Sequence, residues 1–202
     1  MSETTRYTFV TEPVRVSFPY LFKARPRMDG QGEPRFEAVL LIPPTSGDAD
    51  RIRDLMQQAL TDKFGDDAKL TGAEKAKLPL KSTDDSKWFA DQFPGWHYVN
   101  AWSRVKPNVV DENLDEVIDP QKIYAGCWCR FQLTLLGWKS KQGGKLVLVS
   151  LDNVQFVGDG ERLGGGKQSA KSAFDGIKFS IPEEMKSAAQ GETADDGDDG
   201  VF

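Results

Sequence analysis

Two stretches of the sequence place aromatic and cationic side chains at alternate positions. In residues 122–138, Tyr124, Trp128, Arg130, Gln132, Thr134 and Trp138 alternate with Ile123, Ala125, Cys127, Cys129, Phe131, Leu133 and Leu135. In residues 96–106, Trp96, Tyr98, Asn100, Trp102, Arg104 and Lys106 alternate with His97, Val99, Ala101, Ser103 and Val105. A period of two is that of a strand with two unlike faces. One face in each stretch is small and apolar and suits a core. The other would need no tryptophan if it met only water. Flat rings interleaved with guanidinium and ammonium groups suit a surface that stacks bases and neutralises phosphates.

Other chemistry is poorly supported. Cys127 and Cys129 are the only cysteines, two apart on the inward face of one strand, and read as small buried hydrophobes in a reducing compartment. A disulfide between them would distort the strand, and His97, the single histidine, cannot complete a zinc site. His97 has no evident partner for nucleophilic catalysis either. The acids Asp111, Glu112, Asp115 and Glu116 read as a solvated loop rather than a metal site. Gly164-Gly165-Gly166-Lys167 is no phosphate loop, because Glu161 stands where the first glycine is required and Gln168 follows the lysine. No catalytic residue, metal or cofactor is expected.

The elements that must carry these faces follow in chain order. Residues 6–25 read as a strand with Val14, Val16, Phe18, Tyr20 and Phe22 on one face. Arg15, Ser17, Lys23 and Arg25 fall on the other, and Pro13 and Pro19 argue for an edge or a bend. A turn-rich loop with Arg27 leads to a second strand, Arg35 to Ile42. Thr45-Ser46-Gly47-Asp48 offers a helix start, Ile52, Leu55, Met56, Ala59 and Leu60 follow at helical spacing, and Gly65 stops the helix. Residues 66–87 predict loop and short helix. The stretch from Lys122 to Phe156 predicts a long hairpin, with Lys139, Lys141 and Lys145 at its tip around Gly143-Gly144. Several strands and one clear helix, without a βαβ alternation, predict an all-β fold with minor α: a five-stranded oligonucleotide/oligosaccharide-binding barrel of Greek-key type with an inserted helix.

The net charge of −5 hides an asymmetry. Residues 183–202 hold seven acids and one base, a net of −6, which leaves +1 for residues 1–182. The predicted organisation is therefore a folded domain over 1–182 and a disordered acidic tail over 183–202. The tail ends in Val201-Phe202, two apolar residues after Asp195, Asp196, Asp198 and Asp199. No apolar run nears the roughly 20 residues a membrane span needs, and the first ten residues do not resemble a signal peptide, so a cytoplasmic protein without membrane contact is expected.

The chain resembles the phage single-stranded DNA-binding proteins that have one such barrel and an acidic tail. The resemblance rests on Phe18-Pro19-Tyr20-Leu21-Phe22, Phe36-Glu37-Ala38-Val39-Leu40-Leu41-Ile42-Pro43, Trp102-Ser103-Arg104-Val105-Lys106-Pro107, Tyr124-Ala125-Gly126-Cys127-Trp128-Cys129-Arg130 and Leu151-Asp152-Asn153-Val154-Gln155, with the tail from Asp195 to Phe202. It implies sequence-tolerant binding of single-stranded DNA in replication or recombination, with the tail recruiting replication proteins. On that reading Tyr98, Trp102, Tyr124 and Trp128 meet bases. Arg15, Lys23, Arg25, Arg27, Arg104, Lys106, Arg130, Lys139, Lys141 and Lys145 meet phosphates. One alternative is a β-rich phage structural or adaptor protein whose aromatic faces are oligomer interfaces. Another is a nuclease or nucleotide hydrolase, which would need clustered acids. Whether the chain is a monomer or a dimer is left open.

Overall fold

The structure is a computed structural model and describes residues 5–27, 30, 32–140 and 144–164. Its strands are β1 (Tyr7–Val10), β2 (Val14–Arg25), β3 (Arg35–Ile42), β4 (Leu80–Ser82), β5 (His97–Ser103), β6 (Asn108–Val110), β7 (Trp128–Lys139) and β8 (Lys145–Gly158). The main helix is α1 (Asp48–Phe64), followed by the single turn α2 (Gly72–Lys75).

Five strands pair in a ring. β2 runs antiparallel to β3, β3 to β5, β8 to β7 and β7 to β2, while β5 and β8 are parallel. β1 extends the β7 edge, β4 pairs with β5, and β6 lies parallel to β8. The chain is thus mostly β with one main helix inserted between β3 and β5, as the sequence pattern predicts. Residues 165–202, with the expected boundary at 182 and the whole tail, lie outside the described residues.

The alternation of side chains accounts for the core. Cys127, Cys129, Phe131, Leu133 and Leu135 are all fully buried, as are Val14, Val16, Leu40, Ile42, Val99 and Leu151. Helix α1 closes one end of this core with Ile52, Met56, Ala59 and Leu60. The helix lies so close to β7 that a Cβ on Gly137 would meet the Ala59 carbonyl at 2.3 Å, so only glycine fits there. Gly65 ends α1 with φ of 57°, the positive value that the sequence signal implied. At the other end Gly47, not a serine or threonine side chain, occupies the cap. Asp48 is buried and accepts the Glu12 N–H at 2.8 Å, which ties the helix start to the turn before β2.

The first predicted strand is where the structure departs most from the sequence pattern. It breaks into β1 and β2, and the break is held by Thr11. That buried residue donates its N–H to the Phe131 carbonyl at 2.9 Å and accepts the Phe131 N–H on its hydroxyl at 3.0 Å. Within β2 the register shifts between Ser17 and Tyr20, and Phe18 adopts φ of 48°. This irregularity reverses the phase of the strand. Leu21 is buried in place of Tyr20 and Phe22, Ser17 is buried with Val16, and Phe18 is turned out to solvent. The expected common face of Val14, Val16, Phe18, Tyr20 and Phe22 therefore does not form. Among the described residues no helix is long and apolar enough to cross a membrane.

Candidate nucleic-acid interface

The outward residues of β3 and β5 line up in cross-strand pairs: Glu37 with Trp102, Val39 with Asn100, and Leu41 with Tyr98. Their neighbours Ala38, Leu40, Val99 and Ala101 fill the interior. The segment between β4 and β5 folds over the Leu41 end of this outer face. Phe89 and Phe93 form a second apolar cluster with Leu41, against which Val39, Trp96, Tyr98 and Leu163 pack. Thr83 fixes that segment: its buried hydroxyl lies 2.6 Å from the Phe93 carbonyl and 2.8 Å from the Trp96 carbonyl. Asp84 accepts the Gly95 N–H at 2.8 Å. The result is a rim standing beside an open sheet face.

Between rim and face runs a groove of about 640 Å³. Phe18, Trp88, Phe89, Tyr98, Asn100 and Trp102 supply its aromatic and amide walls, and Arg25, Arg27 and Arg35 its positive charge. Trp88 is 74% exposed and Phe18 46%, so the first ring stands largely in water and the second about half. Tyr98 is held at a tilt against Phe89 with centroids 5.5 Å apart; burial, and then Asp85, raise its phenol above the usual range. The guanidinium of Arg35 lies 5.4 Å from the Trp102 ring centroid and that of Arg25 lies 4.4 Å from Tyr20. Both pair with Glu37, Arg35 at 2.6 Å and Arg25 at 2.7 Å.

A second patch adjoins this groove through Trp96, whose ring centroid is 6.5 Å from that of Trp128. Arg15 sits over Trp128 at 5.3 Å. The chain leaving β8 straps this patch. Arg15 donates a hydrogen bond to the Glu161 carbonyl, and its Nε is buried without a partner among the described residues. Tyr124 donates to Asp159 at 2.9 Å, accepts the Gly160 N–H at 3.1 Å, and carries the Arg162 guanidinium over its ring at 4.1 Å. Burial, and the nearby Asp159 carboxylate, raise the Tyr124 phenol above its usual range. Arg15, Tyr124 and Trp128 are thus brought together, but under a strap of this chain's own backbone.

The remaining expected phosphate ligands are scattered. Arg104 forms an exposed ion pair with Glu33 at 3.5 Å, and Arg130 one with Glu12 at 3.4 Å. Such surface pairs are weak and open readily. Lys23 is exposed on β2, and Lys106 lies 5.9 Å over the Phe22 ring. The hairpin tip lies a whole strand away from Trp128, about 36 Å for the eleven steps along β7. There Lys139 is exposed, while Lys145 donates to Asp67 at 2.8 Å and to the Lys69 carbonyl at 3.0 Å. Its side chain is only 15% exposed, so Lys145 fastens the hairpin to the turn after α1. Lys141 and the tail residues Asp195, Asp196, Asp198, Asp199 and Phe202 lie outside the described residues.

Sequence reasoning misses Trp88, Phe18, Phe89 and Arg35. The alternation places Phe18 inward, because the phase change in β2 has no sequence signature beyond Pro19. Trp88 and Phe89 fall outside any alternating run, since the rim has no period. The acidic loop that invites a metal reading resolves into local structure. Burial would raise the Asp111 carboxyl, but the Asn113 and Asp115 N–H groups and Lys122 hold it below the usual range. Among the described residues no group of three or more His, Cys, Asp or Glu side chains could hold a metal ion.

Residues 7–186 match the model of the family described as Enterobacter phage Enc34, ssDNA-binding protein. The single-stranded DNA-binding protein from bacteriophage Enc34, solved in complex with ssDNA, is similar with a TM-score of 0.65 and 25% identity, over 78% of this chain and 89% of that one. The single-stranded DNA-binding protein gp2.5 of bacteriophage T7 shares the fold alone, with a TM-score of 0.55 and 15% identity over 88% of this chain and 100% of that one. The putative protein p50 of Acyrthosiphon pisum secondary endosymbiont phage 1 is 27% identical over 179 residues, 85% of this chain and 95% of that protein.

Proposed function

Because this chain belongs to the family of the Enterobacter phage Enc34 single-stranded DNA-binding protein, we propose that it binds single-stranded DNA without sequence preference, along the groove on the outer face of β3 and β5. It is a binding protein and not an enzyme. The observation that carries the reading is the co-location of solvent-facing rings and guanidinium groups along one groove between the sheet face and the rim. Trp88 and Trp102 stack on bases, with Tyr98 as a fixed platform between the strand and the rim. Arg25, Arg27 and Arg35 hold the backbone. Stacking contributes about 1–3 kcal/mol per base in such sites and tolerates any sequence, since every base has a π-face.

The strapped patch of Arg15, Tyr124 and Trp128 continues the path past Trp96. Arg104, Arg130, Lys23 and Lys106 are peripheral phosphate contacts on this reading, and Lys139 and Lys141 contact only a longer strand. In the cytoplasm of an infected host the protein covers strands exposed in replication or recombination. Its acidic C-terminal residues, ending in Phe202, recruit replication proteins. There the carboxylates steer the encounter with a basic partner and the terminal ring anchors it.

Titration of a dT oligomer against the Trp102→Ala variant tests the assignment. Removing one stacked base weakens binding about 5- to 140-fold and leaves the salt dependence unchanged. Unchanged affinity in both Trp102→Ala and Trp88→Ala would remove the groove from consideration.

A further inference from the structure

Glu37 is an odd residue to find in an anion-binding groove. A carboxylate beside the path of a phosphodiester chain repels it, and plain electrostatics expects its removal to tighten binding. Its surroundings point the other way. Glu37 stands on the middle strand of three, opposite Tyr20 on β2 and opposite Trp102 on β5. Arg25 and Arg35 are also cross-strand partners. Two like charges directly opposite each other repel and splay apart. Here one carboxylate lies between them: Oε1 takes Arg25 Nε at 2.7 Å and Oε2 takes Arg35 Nε at 2.6 Å. The Glu37 side chain is only 17% exposed and the two arginines 26% and 28%, so the contacts are shielded from solvent exchange.

On the proposed reading of the groove, we infer that Glu37 is the positioning residue that arms it. By holding each guanidinium through Nε, the carboxylate lays Arg25 over Tyr20 and Arg35 over Trp102. The terminal amino groups, on the far side of each guanidinium from Nε, then meet a phosphate already oriented. The planar fork suits this, since a lysine ammonium has no flat face to lay on the ring and no rigid second edge whose direction is set by the first. The row Tyr20, Arg25, Glu37, Arg35, Trp102 is a single device in which two cations and one carboxylate leave a net charge of +1.

The test is a dT oligomer titration of the full chain at several salt concentrations, with Glu37→Gln, with Arg25→Lys and Arg35→Lys combined, and with Trp102→Ala and Trp88→Ala as references. Glu37→Gln is expected to bind roughly tenfold more weakly, the scale of one oriented charge-assisted hydrogen bond. The slope of log affinity against log salt should become shallower by about 0.7 for each phosphate that the arginines no longer neutralise. The double lysine variant keeps its charge and should weaken binding to a similar degree. It also decides the matter should Glu37→Gln fail to fold. Tighter or equal binding by Glu37→Gln, or full affinity in the double lysine variant, would overturn the inference while leaving the groove in place. Wild-type affinity in both Trp102→Ala and Trp88→Ala would instead overturn the groove itself.

Discussion

Trp88 and Trp128 both belong to the aromatic surface, and their surroundings separate them. Trp88 is 74% exposed at the mouth of the groove, whereas Trp128 is half-buried between Arg15 and Trp96. Trp88→Ala is therefore expected to weaken single-strand binding about 5- to 140-fold with an unchanged thermal midpoint. Trp128→Ala should lower both affinity and midpoint, and a thermal melt beside the titration separates the two. Gly126 gives a sharper structural case. Its φ is 110° and a Cβ there would lie 2.0 Å from the Glu161 carbonyl oxygen. Gly126→Ala should cost about 1–3 kcal/mol from the backbone conformation alone and expel the strap, read as a lowered urea midpoint. Residue placement is legible where it follows a period: Tyr98 and Trp102 sit outward on β5, and Cys129 on β7 and Cys127 just before it point inward, as alternation requires. Phe18 is not legible, because a positive φ at one residue inverts the faces of everything after it in β2.

At the scale of elements, the hairpin tip illustrates how a charge can be structural. Glu74 accepts the Thr71 N–H at 2.8 Å, the Thr71 hydroxyl at 2.9 Å and the Lys145 N–H at 2.7 Å, joining α2 to β8. These donors, led by the Lys145 N–H, lower its carboxyl to about 2. A group whose pKa falls on folding stabilises the fold above its unfolded pKa, and that contribution disappears as pH drops through the folded one. The window here runs from the ordinary value of 4.5 down to about 2. Glu74→Gln should lower the thermal midpoint at pH 7 and converge with the wild type as pH approaches 2. An equal difference at both ends would show that the contact is not linked to the charge. The helix α1, the long hairpin and the strands of the ring can be read from periodicity, because each has one face against a single core. The rim of Phe89, Phe93 and Trp96 cannot, because it has no period and is organised by Thr83, one hydroxyl shared by two carbonyls. The triple-lysine tip reads as a phosphate contact in sequence, but spacing gives no hint that Lys145 is engaged by Asp67.

For the whole molecule, charge is divided between a body of +1 and twenty C-terminal residues of −6. A tethered polyanion competes with DNA at high effective concentration, most strongly where salt screens little. Deleting residues 192–202 is expected to raise single-strand affinity at low salt and to abolish recruitment of replication proteins. Phe202→Ala should lose recruitment while retaining the competition. A truncated chain with unchanged affinity at low salt and intact partner binding would reduce these residues to a solubilising extension. The central claim, that exposed bases stack on the groove while arginines hold the backbone, is tested most directly on the unmodified chain. The measurement is quenching of tryptophan fluorescence in matched titrations with a dT oligomer and with a duplex of equal length. Strong quenching and much tighter binding of the single strand are expected, because a duplex hides its base faces from Trp88 and Trp102. Equal affinity for the two, or binding without quenching, would contradict the claim and leave a merely electrostatic surface.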